Sequence, residues 1–168
     1  MARPFGNAES RGALRPIFRK ICGADPTCSC YKVGMNTILV PIDFSEETPE
    51  VIECAAMLAR RNRSELVLMH VSPAGDSAAN GSTDEKAAAE TAEKLDRLER
   101  YLREEGFQVS TAVRAGEPAR AIVEFGDSIK ADCIIMGRHD HHDCGAAAKG
   151  TVTRNVENTA LCTVVSVP

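Results

Sequence analysis

The sequence predicts an α/β fold: a five-stranded, mostly parallel sheet with helices on both faces. Short apolar, β-branched runs alternate with segments of helical periodicity from Asn36 to the C-terminus. The strand-like runs are joined by helix-bearing connections, which parallel strands require as crossovers. The length of 168 residues, with 43% hydrophobic residues, suits one ordinary domain with a real core and leaves no comfortable room for a second.

The elements follow in order. TILVPI (37–42) reads as a strand, and the segment after it, to Arg63, repeats Val51, Ala55, Leu58 and Ala59 at helical spacing. ELVLMHV (65–71) is a second strand, and SPAGDSAANGST (72–83) is a polar loop of small, turn-forming residues. A helix starting near Asp84 runs through Leu95, Leu98 and Leu102 to a stop at Gly106, with Glu90, Lys94, Arg97 and Arg100 on a solvated face. FQVSTAV (107–113) alternates as a strand, and GEPARAIVEFGDSIKA (116–131) begins a helix with Pro118 in its first turn. DCIIMG (132–137) is a buried strand. A loop, a helix over about Gly150 to Thr159 and a last strand, CTVVSVP (162–168), complete the chain.

Residues 1–34 have another character, with Gly, Pro and Arg interspersed and no sustained period. They carry six Lys/Arg against Glu9 and Asp25, whereas residues 35–168 carry fourteen against twenty-two acids. This stretch reads as a basic, flexible extension or as sequence upstream of a start at Met35, with organelle targeting as a third reading. Cys22, Cys28 and Cys30 lack common zinc-ligand spacing. The acidic folded part argues against general nucleic-acid binding, and the absence of a long apolar run argues against a membrane span. The expectation is a soluble intracellular protein. Seven cysteines, an odd number, with Cys54, Cys133, Cys144 and Cys162 scattered through the domain, suggest reduced thiols packed as small apolar residues.

In parallel sheets ligands bind beyond the carboxyl ends of the strands, where strand order reverses. That rule selects Asp43, Val71 and Gly137 onward. Asp43 is able to accept hydrogen bonds from ribose hydroxyls or an adenine amino group, or else to cap the following turn. His70 reads as a core or subunit-facing residue, whereas the backbone of Val71 can meet a base edge. Gly137, and Gly150 with Thr151 at a helix start, supply unobstructed backbone donors and a hydroxyl suited to an anion; an ordinary strand turn and helix start is the alternative.

From about Met35 to Pro168 the chain resembles the universal stress protein family, through ILVPIDFS, LVLMHV, GEPARAIVEF, ADCIIMGR and GTVTRNVENTALCTVVSVP. The resemblance implies a Rossmann-like fold of the adenine nucleotide alpha hydrolase kind, a homodimer formed largely through the last strands, and a cytoplasmic stress-response role. It also implies ATP binding, with Mg or Mn as a possible companion, through Asp43, Val71, Gly137, Gly150, Thr151 and Val152. Enzyme activity is not expected beyond slow, incidental ATP hydrolysis.

The family's phosphate motif reads Gly, two residues, Gly, nine residues, Gly, Ser or Thr. Gly137, Gly150 and Thr151 match, and Asp140 stands where the middle glycine belongs. A carboxylate about 4 Å from a phosphate costs about 1 kcal/mol in water and about 4 at an effective dielectric near 20, so binding weakens severalfold to about a thousandfold. His139, His141 and His142 when protonated, or Arg138, Lys149 and Arg154, would offset it, as would a divalent metal shared by Asp140 and phosphate. Otherwise the chain is a nucleotide-free interaction dimer with unidentified protein partners. A less favoured reading makes the cluster from His139 to Cys144 a metal-binding sensor. The edge strand 162–168, with Val164, Val165 and Val167, is expected to pair with a two-fold mate.

Overall fold

A computed structural model describes residues 35–72, 83–138 and 151–168. The elements are β1 (Thr37–Pro41), α1 (Thr48–Asn62), β2 (Glu65–Ser72), α2 (Thr83–Glu104), β3 (Val109–Ala115), α3 (Pro118–Ser128), β4 (Cys133–Gly137), α4 (Thr151–Thr159) and β5 (Thr163–Val167). The extension 1–34, the loop from 73 to 82 and the segment from His139 to Gly150 lie outside the described residues.

The five strands form one sheet in the order β3-β2-β1-β4-β5. Every pairing is parallel, so "mostly parallel" sharpens to wholly parallel among the described residues. Successive side chains in a strand point to opposite faces, and this alternation divides the core. Ile38, Val40, Leu66, Leu68, Cys133 and Ile135 face Val51 and Ala55 of α1 and Leu95, Leu98 and Leu102 of α2. Leu39, Val67, Met69, Ile134 and Met136 face Ala119 and Ile122 of α3 and Val156 of α4. The chain winds outward from β1 to β3, then crosses to β4 and winds the other way. With right-handed crossovers, that reversal puts α3 and α4 on the opposite face from α1 and α2.

Cys133 is fully buried in the first core, where it packs as a small apolar residue, and Cys54 packs against the same cluster. Burial pushes the Cys133 thiol up from 9.0 to about 11, with smaller contributions from Cys162, Cys54 and Asp132. The thiols of Cys54 and Cys162 are raised as well, chiefly by burial.

Several boundaries differ from the sequence reading. β3 begins at Val109, not at Phe107, because Gly106 turns the chain at a φ of 87° and Phe107 N–H closes the end of α2 on Leu102 O at 3.0 Å. It continues to Ala115, paired with Ser72 of β2. Asp132 precedes β4 and acts through its carboxylate, which accepts from the backbone N–H groups of Asn36 at 2.7 Å and Thr37 at 3.0 Å. β5 starts at Thr163, after Cys162.

α3 is capped as its sequence suggests. Glu117 accepts from Ala119 N–H at 3.1 Å and Arg120 N–H at 2.8 Å, and Pro118 fills a first-turn position that needs no donor.

Candidate functional site

Strand order reverses between β1 and β4, and the carboxyl ends of those strands open into a cavity of about 210 Å³. Pro41, Ile42 and Asp43 come from the end of β1, Met69 and Val71 from β2, and Met136 and Gly137 from β4. Thr48 and Val51 of α1, Pro118 and Ile122 of α3, and Val152 and Thr153 of α4 complete the walls described here. Helices from both faces contribute because each of these three begins at the same edge of the sheet, with its positive dipole end towards the rim. The N-terminal donors of α3 are engaged by Glu117, whereas Glu47 makes no side-chain cap on α1.

The lining is predominantly apolar, with Asp43, Ser45, Thr48 and Thr153 as polar side chains. This combination suits an amphipathic ligand held by a few placed hydrogen bonds. Whole drug-sized ligands occupy cavities of roughly 300–1,000 Å³, so a space of about 210 Å³ fits part of a nucleotide, such as its base with some of the sugar, rather than all of it.

Asp43 lies exposed at the mouth, where one carboxylate oxygen accepts from Ser45 N–H at 3.1 Å. The turn that presents it is unusual: Phe44 has a φ of 61°. A left-handed conformation costs a bulky residue about 1–2 kcal/mol. Contacts on the Phe44 ring oppose that cost. The ring lies 5.4 Å from the His70 ring, tilted by 37°, and the Lys94 ammonium is 5.4 Å from its centroid. His70 Nδ1 in turn lies 2.8 Å from Ile42 O. His70 is therefore half-buried and supports the turn beside the cavity, in keeping with its reading as a structural rather than ligand-binding residue.

On the opposite side, Thr153 is buried and its hydroxyl donates to Gly137 O at 2.9 Å, which ties α4 to the end of β4. Arg138 N–H donates to Val167 O at 2.8 Å and extends the β4–β5 ladder past the rim.

Thr48 differs from these residues. Its Oγ1 is buried and has no hydrogen-bond partner among the described residues, although the residue lines the cavity. A buried hydroxyl left unpaired costs about 1–3 kcal/mol.

Of the residues singled out in the sequence, Asp43, Val71, Gly137 and Val152 line one cavity, and Thr151 is the exposed first residue of α4 beside it. Gly150, Asp140, Lys149 and the cluster from His139 to Cys144 lie outside the described residues. Among those described, no group of three or more His, Cys, Asp or Glu is placed to hold a metal ion, and no helix is long and apolar enough to cross a membrane. The sequence reading missed Ser45, Thr48, Pro118, Ile122 and Thr153. The Ser and Thr residues near strand ends offered a faint signal; the α3 wall offered none, because it arrives from across the sheet.

The model of the Universal stress protein family matches residues 35–168. The universal stress protein MJ0531 of Methanocaldococcus jannaschii is 30% identical over 136 residues, which span 77% of this chain and 80% of the relative. The solved structure of the protein MJ0577 superposes with a TM-score of 0.72 at 26% identity, covering 80% of this chain and 96% of that one. A universal stress protein from Archaeoglobus fulgidus in complex with dAMP shares the fold, with a TM-score of 0.62 at 24% identity over 80% of this chain and 99% of its own.

Proposed function

We propose that this chain, which belongs to the universal stress protein family, binds an adenine nucleotide, ATP foremost, in the cavity at the carboxyl edge of its sheet. The observation that carries the reading is the convergence of Asp43, Val71, Gly137 and Val152 on one largely apolar cavity at the point where strand order reverses. The base and part of the sugar occupy the cavity. Asp43 accepts from the ribose or the adenine amino group, and the backbone of Val71 meets the base. The phosphates extend towards Gly137, Gly150 and Thr151, where the N-terminus of α4 favours negative charge. The A. fulgidus structure supports this choice, since a chain of the same fold is solved in complex with an adenine nucleotide, dAMP.

The protein acts as a cytoplasmic, non-enzymatic sensor whose nucleotide changes its affinity for protein partners. The raised thiols of Cys54, Cys133 and Cys162 support the absence of cysteine nucleophiles among the described residues, because the thiolate is the reactive form. It forms a homodimer through β5, whose outer edge has no paired strand among the described residues and which follows Leu161, 88% exposed.

Thermal unfolding with millimolar ATP, with and without Mg or Mn, tests the reading: ATP raises Tm, and Asp43→Ala weakens binding about ten- to a hundredfold through loss of a charged acceptor. Absence of a shift in every condition overturns it. Asp140 favours a second reading, a nucleotide-free interaction dimer. On that reading the wild type is silent and Asp140→Gly acquires ATP binding.

A further inference from the structure

The unpaired hydroxyl of Thr48 sits in the wall of the cavity, and its surroundings indicate which part of a ligand it meets. The same cavity is lined by Ile42, which is buried, and by Val51, one turn further along α1, both on the face of the sheet that α1 covers. Asp43, by contrast, is exposed at the mouth. A sugar bears several hydroxyls and suits an exposed carboxylate. A nucleobase has apolar faces and a hydrogen-bonding edge, and so suits a largely apolar wall that carries a buried, unpaired hydroxyl.

Local structure does not use this hydroxyl. Thr48 is the first residue of α1, after Glu47 at the cap position, and its backbone N–H donates to Ser45 O at 3.2 Å. A threonine at a helix start commonly caps the helix with its side chain, but here Oγ1 is buried without a partner among the described residues. A hydroxyl both donates and accepts, so a base edge that places a polar group against it satisfies it, and one that does not leaves it buried and unpaired.

We infer that Thr48 is a specificity-determining residue whose Oγ1 hydrogen-bonds the edge of the nucleobase. The inference rests on the proposed nucleotide reading of the cavity. A site that pairs a buried polar group with its ligand rejects ligands that leave the group unpaired. Thr48 therefore contributes to discrimination among bases, while the backbone at Gly137 serves the phosphates, which all nucleotides share.

The test uses the full chain and its Thr48→Val variant, which keeps the β-branched shape and removes the hydroxyl. ATP and GTP affinities are measured by calorimetry alongside Tm without ligand. Thr48→Val is expected to weaken ATP binding about tenfold, the effect of one buried hydrogen bond. It should narrow the ATP-to-GTP affinity ratio and leave the ligand-free Tm equal or higher, because the valine buries no unpaired polar atom. Thr48→Ser, which restores the hydroxyl, should recover most of the affinity and the ratio. A purely structural threonine would instead lower Tm on substitution and leave the ratio unchanged.

Wild-type binding that Thr48→Val leaves intact overturns the inference and spares the nucleotide reading. Equal losses for ATP and GTP also overturn it, since a contact that costs both nucleotides alike does not discriminate between their bases. A wild type that binds neither nucleotide overturns both.

Discussion

At the amino ends of the strands, polar groups are spent on joining the sheet. The Asp132 carboxylate accepts two backbone N–H groups at the start of β1, the Ser64 hydroxyl donates to Met35 O at 2.7 Å, and Glu65 N–H donates to Asn36 O at 2.8 Å. At the carboxyl ends, the Thr48 hydroxyl is buried without a described partner, Phe44 is held in a left-handed turn, and a cavity separates three helix starts. One end is satisfied and closed, and the other retains unmet polar demand and local strain. The difference teaches where the fold places stability and where it places recognition, since strain and unpaired groups persist only where the surrounding structure holds them.

The largest expected effect at the closed end is alkaline. The folded state raises the Cys133 thiol from 9.0 to about 11, so its protonated form is favoured by folding. The associated stability is complete below pH 9.0 and is lost as pH rises towards about 11. At about 1.4 kcal/mol per pH unit this amounts to about 2–3 kcal/mol. Cys54 and Cys162 act in the same direction. Urea unfolding followed from neutral to alkaline pH should show this decline, and Cys133→Ala should flatten it; equal slopes for both proteins would remove Cys133 as its source.

Next, Asp132→Ala strips a charged acceptor from two backbone donors and is expected to cost about 1.5–3 kcal/mol. Nucleotide affinity, measured well below Tm, should not change. A marked loss of affinity would break the contrast between the two ends.

The smallest effect belongs to the open end. Thr153→Val removes the hydroxyl that donates to Gly137 O, costing about 1 kcal/mol of stability. Because Gly137 lines the cavity, this variant should also weaken ATP binding severalfold in the same titration. Together with Asp132→Ala it forms a crossed pair, in which the larger stability loss carries the smaller change in affinity.

The closed end was poorly legible in the sequence. Asp132 reads as the first residue of a strand, and only the meeting of β1 with β4 gives its carboxylate two backbone donors about 95 residues away. The sheet itself was legible because the strands are short apolar runs separated by helix-length connections, and a parallel sheet covered on both faces follows from those two facts. Asp43, Val71 and Gly137 were legible for a related reason: the carboxyl-edge rule depends only on knowing where strands end. Pro118 and Ile122 were not, since nothing local in α3 reveals that its first turns border a cavity reached from the far face. Thr48 was hidden differently. A threonine before Pro49 at a helix start has the pattern of an ordinary cap, and the failure of its hydroxyl to cap is a fact of three-dimensional packing.

The position of β1 also sets a timetable for folding. Its pairing with β2 needs only the short crossover through α1, whereas its pairing with β4 joins Ile38 to Cys133 and closes a loop of most of the domain. Local contacts form before those that close long loops, so the β1–α1–β2 unit is expected to precede the β1–β4 junction. The cavity lies at that junction and is among the last parts to be assembled. A ligand held there recognises a finished chain and stabilises it only after most of its folding is complete.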